Sequence, residues 1–315
     1  MILGIDTSNY TTSVAVVSKE QQLLFDERKI LDVAKGERGL QQSNAVFQHL
    51  QNLPHLIEEA LDSYGDMITQ ICYSQKPRPL EESYMPVFKV GSGFAKTTAK
   101  ALRVPLLAST HQEGHLAAGL WSAGFEPEPE KTFLTVHISG GTTDLLQVKP
   151  VGTGFSIKLL GHSTDLHAGQ FVDRIGVKLG MQFPCGPALE ELAKKKSGEG
   201  IGLPSSVDGY NISFSGPCSA AQRFLDSDEE KSKIAYAVFR CIANSLEKIL
   251  TKAIKETEIK DILFVGGVAA NSFIKERLKY RLEHRAVGAR LFFAEPAYSR
   301  DNAVGTAVIN YLLNE

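Results

Sequence analysis

The sequence predicts an α/β protein built of two similar halves. Short apolar runs at 1–6, 68–74, 104–108, 133–138, 262–265 and 291–294 alternate with stretches of helical periodicity, the pattern of strands and helices packed in layers. A strand, a turn of small and hydroxyl residues, and a second strand occur at 1–17 and again at 132–148. Such an internal repeat points to two similarly folded halves. The 315 residues, 43% hydrophobic and 22% charged, are enough for two domains with substantial cores.

The first run ends in Asp6 and passes through Thr7-Ser8-Asn9-Tyr10-Thr11-Thr12 into a strand at 13–17. The hydroxyls and backbone N–H groups of that turn, Ser8 and Asn9 among them, suit phosphate oxygens, though they equally suit an ordinary polar hairpin. A more polar strand at 23–30 follows. Residues 44–64 carry helical periodicity in Val46, Phe47, Leu50, Leu53, Leu56, Ile57, Ala60 and Leu61, and Pro54 marks a kink or a break into two helices. The fourth strand, 68–74, leads into a proline-containing loop at 75–90. Gly91-Ser92-Gly93 is then expected just before a helix at 94–102, where a helix N-terminus can take an anion.

The strand at 104–108 opens an alanine-rich helix, Ser109-Thr110-His111-Gln112-Glu113-Gly114-His115-Leu116-Ala117-Ala118. His111 and His115, four apart, share one helix face and can share one ion. Spacing alone equally allows two unrelated histidines, and a secure site needs a third ligand. One candidate, near the far end of the chain, is Asp301. A metalloprotease is disfavoured, because the acid Glu113 sits two residues after the first histidine and not beside it.

The second half repeats the opening theme through Ser139-Gly140-Gly141-Thr142-Thr143-Asp144. Glycines let backbone approach a ligand closely, so the two turns are suited to gripping a nucleotide's phosphates. A helix starting within 165–173 stops at Gly180, and Pro184-Cys185-Gly186-Pro187 precedes another at 188–195. Residues 197–210 read as loop. One or two helices over 228–255 present Ile234, Val238, Cys241, Ile242, Leu246 and Ile249 as a core stripe. The strand at 262–265 ends in Gly266-Gly267 and opens a helix at Asn271, the kind of strand end where α/β folds admit a nucleoside. Asp301 precedes the closing helix, where an aspartate is most often a cap. The expected domains are 1–106 and 107–315, with helix 301–315 packing back on the first.

Composition narrows the class. A net charge of −2 gives no global sign of nucleic-acid binding. The four cysteines lack a C-x-x-C pair, which suits reduced thiols. No apolar run reaches 18 residues and no basic leader precedes the first strand, so a soluble cytoplasmic protein without a membrane anchor is expected.

Taken in order, Ile5-Asp6-Thr7-Ser8, His111-x-x-x-His115, Ser139-Gly140-Gly141-Thr142-Thr143, Gly169-x-Phe171-x-Asp173, Pro184-x-Gly186-Pro187, Phe214-Ser215-Gly216, Gly266-Gly267-Val268-x-x-Asn271 and Asp301-Asn302-Ala303 resemble the TsaD family over essentially the whole chain. These are threonylcarbamoyltransferases that modify tRNA. The resemblance implies a two-domain, actin-like and sugar-kinase-like ATPase fold around a cleft. It implies one divalent ion held by His111, His115 and Asp301. Imidazole ligands favour iron or zinc over magnesium. The bound nucleotide would be ATP or threonylcarbamoyl-AMP, with the threonylcarbamoyl group passing to adenosine 37 of tRNA. By the same resemblance the backbone of His137, Ile138, Ser139, Gly140 and Gly141 lines the phosphate and threonylcarbamoyl region, and Ser8, Asn9 and Thr142 are counted with them as nucleotide- or substrate-binding. Asp173 holds the ribose, while Gly186, Gly267 and Asn271 contact the nucleoside. Partners would be tRNA and other proteins of the same pathway, or a TsaD-like protein, with no membrane.

The chain also departs from the family pattern. The first turn usually reads Glu-Thr-Ser-Cys-Asp-Glu-Thr, and here Tyr10 and Thr11 replace its acidic pair, removing a candidate general base. Thr142 stands for a histidine, Gln170 for a glutamate and Cys185 for a glycine; residues 75–90 replace a Gly-Pro-Gly-Leu loop. Acid/base parts have drifted while metal and phosphate parts persist, a pattern that fits a diverged paralogue at least as well as the tRNA-modifying enzyme itself. The alternatives are a carbamoyltransferase-like ATP-binding protein with a non-tRNA acceptor, and a catalytically weak regulatory partner of a TsaD. Lys76, Arg78, Lys89, Lys96 and Arg300 are the cations that would meet tRNA.

Overall fold

The structure is a computed structural model that describes residues 1–8, 10–33, 40–152, 154–227 and 229–313. In chain order the elements begin β1 (Ile2–Ser8), β2 (Thr11–Val17), β3 (Leu23–Ile30), α1 (Gln42–Tyr64), β4 (Gln70–Ser74), α2 (Phe88–Leu102), β5 (Leu106–Ser109) and α3 (His111–Ser122). They continue with β6 (Phe133–Ile138), β7 (Thr143–Val151), β8 (Gly154–His162), α4 (Ala168–Lys178) and α5 (Gly186–Lys194). The chain ends in β9 (Ser206–Asp208), β10 (Asn211–Ser213), α6 (Ser215–Leu225), α7 (Lys231–Thr257), β11 (Asp261–Val265), α8 (Ser272–Leu282), β12 (Arg290–Phe293) and α9 (Val304–Leu313).

The chain divides into two compact units, one of Met1–Lys131, Pro150–Ser156 and Ala297–Glu315, the other of Thr132–Lys149 and Ile157–Pro296. The first unit's sheet has the order β3-β2-β1-β4-β5 and the second's the order β12-β11-β6-β7-β8. These are one topology written from opposite ends. The first and second strands pair antiparallel, and the fourth pairs parallel with both the first and the fifth. The repeated strand–turn–strand of the sequence is thus the start of a repeated sheet.

In the first unit, every residue of β1 and β2 is buried, and a core of Leu3, Ile5, Val14, Val16, Leu53 and Ile71 forms against α1 and α2. In the second, α7 packs on α5, α8 and α6 and buries all six residues of its expected stripe in a core with Phe171, Phe214 and Phe264.

Several expectations are corrected. The units part at 131/132 and not at 106/107, because α3 packs on α9 and both belong with the first sheet. Residues 42–64 form one helix with Pro54 inside, where a break into two was possible. Helix α2 begins at Phe88, so Gly91-Ser92-Gly93 lies within it and offers no N-terminal anion site. There Gly91 is needed for close approach: its N–H donates to Thr7 Oγ1, and a Cβ would stand 2.8 Å from that oxygen. Strand β8 was not foreseen, since its residues mix buried, half-buried and exposed positions and make no apolar run.

Candidate functional site

The first unit gathers His111, His115 and Asp301. Helix α3 starts at His111 because Thr110 and Glu113 form a capping box, with Glu113 N donating to Thr110 Oγ1 at 3.3 Å and Thr110 N donating to Glu113 Oε2 at 2.9 Å. The proline loop adds to this. Carbonyls of Lys76 and Pro77 accept from His111 N and Gln112 N, both at 3.0 Å, satisfying donors that a helix start leaves open. Both histidine rings then lie side by side, centroids 4.4 Å apart.

Asp301 reaches them from the segment before α9. The cap of that helix is Asn302, whose Oδ1 accepts from Gly305 N at 3.2 Å while its amide donates to the carbonyls of Tyr298 and Arg300. The capping reading of Asp301 is therefore displaced by its neighbour, and its carboxylate faces the histidines. His111 Nε2 and His115 Nε2 each lie 3.4 Å from Asp301 Oδ1, and one donor atom from each of the three residues falls within 4.8 Å of the others. Donors bonded at about 2.1 Å to one tetrahedral ion stand roughly 3.4 Å apart, so the spacing fits a single metal.

Asp6 completes the cluster and was missed as a site residue. It is buried at the end of β1, with Oδ1 3.2 Å from His111 Nδ1 and Oδ2 accepting from Ser8 N at 3.2 Å. The sequence signal was an acid closing an otherwise apolar strand. Burial alone would favour neutral His111, but the Asp6 carboxylate, helped by Asp301, lifts its imidazole to about 10. Burial likewise opposes charge on Asp6, yet His111 holds it below its ordinary value. Asp301 is held well below the carboxylate range, against burial, by bonds from His111 and His115. A proton on His111 and a cation on its Nε2 are alternatives, since both neutralise the same carboxylates.

Ser8 is buried, and its Oγ has no hydrogen-bond partner. Asn9 lies outside the described residues. Thr11 begins β2, paired with Ser8 and buried, so this position offers a hydroxyl where the family has an acid.

The second unit gathers most of the expected nucleotide residues. His137 and Ile138 end β6, and Ser139 N donates to Thr142 O at 2.8 Å, closing the turn that holds Gly140 and Gly141. Gly169 N donates to Ser139 O, and a Cβ at Gly169 would stand 2.6 Å from Gly140 Cα, so the start of α4 abuts that turn. Val268 N donates to Ile138 O at 3.1 Å. Gly266, at φ +100°, brings the end of β11 against the same carbonyl, where a Cβ would collide. Nothing fills the space a Cβ would take at Gly140, Gly141, Gly186 or Gly267. Asn271 caps α8 through Oδ1, accepting from Ile274 N at 3.0 Å, while its buried Nδ2 has no partner. Asp173 Oδ1 accepts from Cys185 N at 2.8 Å and so fixes the loop before Gly186. Gln170, in the glutamate's place, accepts from His167 N through its amide oxygen, so capping does not need the charge.

The family model for tRNA N6-adenosine threonylcarbamoyltransferase, TsaD, matches residues 30–308. The curated enzyme of that name from Symbiobacterium thermophilum is 29% identical over 99% of this chain and 91% of its own length. The one from Thermus thermophilus is 31% identical over 98% and 91%. A probable bifunctional tRNA threonylcarbamoyladenosine biosynthesis protein from Methanocaldococcus jannaschii is 28% identical, with 99% of this chain covering 55% of it. Among solved structures, full-length HypF superposes with a TM-score of 0.63 at 14% identity, over all of this chain and 56% of that one. A ROK family glucokinase from Streptomyces griseus does so at 0.53 and 12%, over 98% and 99%. The fold is that of the actin-like and sugar-kinase-like ATPases. The chain belongs to the TsaD family of tRNA N6-adenosine threonylcarbamoyltransferases.

Proposed function

We propose that this chain transfers a threonylcarbamoyl group from a nucleotide-activated donor to the N6 amine of a tRNA adenosine, using one divalent ion. The observation that carries the reading is the His111, His115 and Asp301 cluster, with ion-compatible spacing, in a chain of this family. His111 Nε2, His115 Nε2 and a carboxylate oxygen of Asp301 would hold the ion. When bound, such an ion supplies a Lewis acid able to polarise a carbonyl and neutralise phosphate charge. Two imidazoles and one carboxylate favour iron or zinc.

The chain's own residues supply the rest. In the turn 139–142 the N–H groups of Ser139 and Gly141 already donate within the turn, so those of Gly140 and Thr142 would face phosphate oxygens, and the glycines leave room for them. Asn271 Nδ2, a buried donor without a partner, is matched by an acceptor on a nucleoside. Asp173 retains one carboxylate oxygen, beyond its bond to Cys185 N, for a ribose hydroxyl. ATP or threonylcarbamoyl-AMP fits this arrangement. No helix among the described residues is long and apolar enough to cross a membrane, and a cytoplasmic location is the reading that goes with tRNA as substrate. Proteins of the same pathway are the expected partners, and the bifunctional Methanocaldococcus relative supports this.

The loss of the acidic pair at Tyr10 and Thr11 favours one second reading, a paralogue with another carbamoyl acceptor. Incubating the zinc- or iron-loaded chain with threonylcarbamoyl-AMP and tRNA unmodified at its acceptor adenosine separates the two. Mass spectrometry of digested tRNA should find threonylcarbamoyladenosine. Donor consumed without that nucleoside would favour the other acceptor.

A further inference from the structure

We infer that Asp6 is a positioning residue for the metal centre, its buried carboxylate holding the proton of His111 on Nδ1 so that the Nε2 lone pair is aimed at the ion. The inference rests on the proposed ligand set and adds a residue outside it. Its basis is the geometry at the other side of the imidazole. Asp6 is 1% exposed, and its Oδ1 lies 3.2 Å from His111 Nδ1. A carboxylate can only accept, so His111 must donate from Nδ1, and the other ring nitrogen is left facing Asp301 Oδ1 at 3.4 Å. Asp6 cannot turn away, because its Oδ2 accepts from the backbone N–H of Ser8 at 3.2 Å. Nearby, Ser74 Oγ lies 3.2 Å from Thr306 Oγ1 on α9.

This arrangement makes an unusual demand on a substitution. Asparagine has the same shape, but one of its two terminal atoms is an NH2 group. The Ser8 N–H is a donor and will take the amide oxygen, which leaves the NH2 group to face His111 Nδ1. His111 must then accept at Nδ1 and carry its proton on Nε2, where the ion should sit. Asp6→Asn is therefore expected to weaken metal binding at least as much as Asp6→Ala, which frees the ring to adopt either tautomer. A merely structural role predicts the reverse order, since the isosteric change should be the milder one.

The test titrates zinc into metal-stripped wild type, Asp6→Asn, Asp6→Ala and Asp301→Ala by calorimetry, with thermal melts to confirm folding. Losing a group that orients a metal ligand costs about 10- to 100-fold in affinity, and that loss is expected for Asp6→Asn. Wild-type affinity in Asp6→Asn, or an Asp6→Asn weaker by much less than Asp6→Ala, would overturn the inference while leaving the ligand set intact. If Asp301→Ala binds zinc like wild type, the ligand set itself fails. Should neither Asp6 variant fold, nitrogen NMR of the histidine-labelled wild-type zinc complex decides: Nδ1 of His111 must carry the proton, and zinc on Nδ1 overturns the inference.

Discussion

Gly305, in the first turn of α9, lies directly against the carbonyl oxygen of Gly114 in α3, and a Cβ at Gly305 would fall on that oxygen. The contact brings the two helix backbones together without side chains between them. It sets Asp301, just ahead of α9, beside His111 and His115 on α3.

Gly305→Ala should therefore separate these helices, lowering stability by about 2 kcal/mol, a typical cost of overpacking. It should also weaken zinc binding without touching a ligand. Thermal unfolding and calorimetry on one preparation check both, and an unchanged zinc affinity would show that the contact does not position Asp301.

His111→Ala, His115→Ala and Asp301→Ala should each abolish stoichiometric metal binding while the protein remains folded. Elemental analysis of the purified variants is the measurement, and one equivalent of retained metal in any of them would remove that residue from the ligand set.

Asn271 has two jobs that substitution can part. Asn271→Asp keeps the oxygen that caps α8 and loses the Nδ2 donor, so ATP binding should fall while stability is held. Asn271→Ala should lose affinity and also about 1 kcal/mol of stability with the cap. An ATP affinity unchanged in both variants would take Asn271 out of the site.

Stability should fall between pH 6.5 and pH 4 because of His49. This side chain on α1 is fully buried, with Nδ1 2.8 Å from Thr12 Oγ1 and Nε2 unpartnered. Burial, only partly offset by Asp6, lowers its pKa from 6.5 to about 4. The unfolded chain binds this proton first, so the contribution is complete above pH 6.5 and is lost as pH falls to 4, on the order of 3 kcal/mol. His111 acts elsewhere: its raised pKa contributes below pH 6.5 and fades as pH rises towards 10. Chemical unfolding of wild type and His49→Gln at pH 7 and pH 5 checks this; equal pH dependence in the two would exclude His49 as the source.

The sheets were legible because their central strands are buried on both faces and read as continuous apolar runs. Strand β8 and the short β9 and β10 were not, since half-exposed strands carry no such run. At the site, helical spacing placed His111 and His115 together, but nothing local distinguishes Asp301 from Asn302 as cap or ligand. Only the resemblance singled out Asp301, and only the hydrogen bonds of Asn302 explain how it is released. Asp6 stayed hidden for a related reason. Its partner is 105 positions away, and the pairing exists only once β1 and α3 are folded against one another.

The most direct test of the account is to express this chain in a bacterium depleted of its own TsaD and to quantify threonylcarbamoyladenosine in bulk tRNA by mass spectrometry. Restored modification with wild type, and none with His111→Ala or His115→Ala expressed at the same level, is the predicted result. Absence of the nucleoside with a wild-type protein that is soluble, metal-loaded and nucleotide-bound would contradict tRNA as the acceptor.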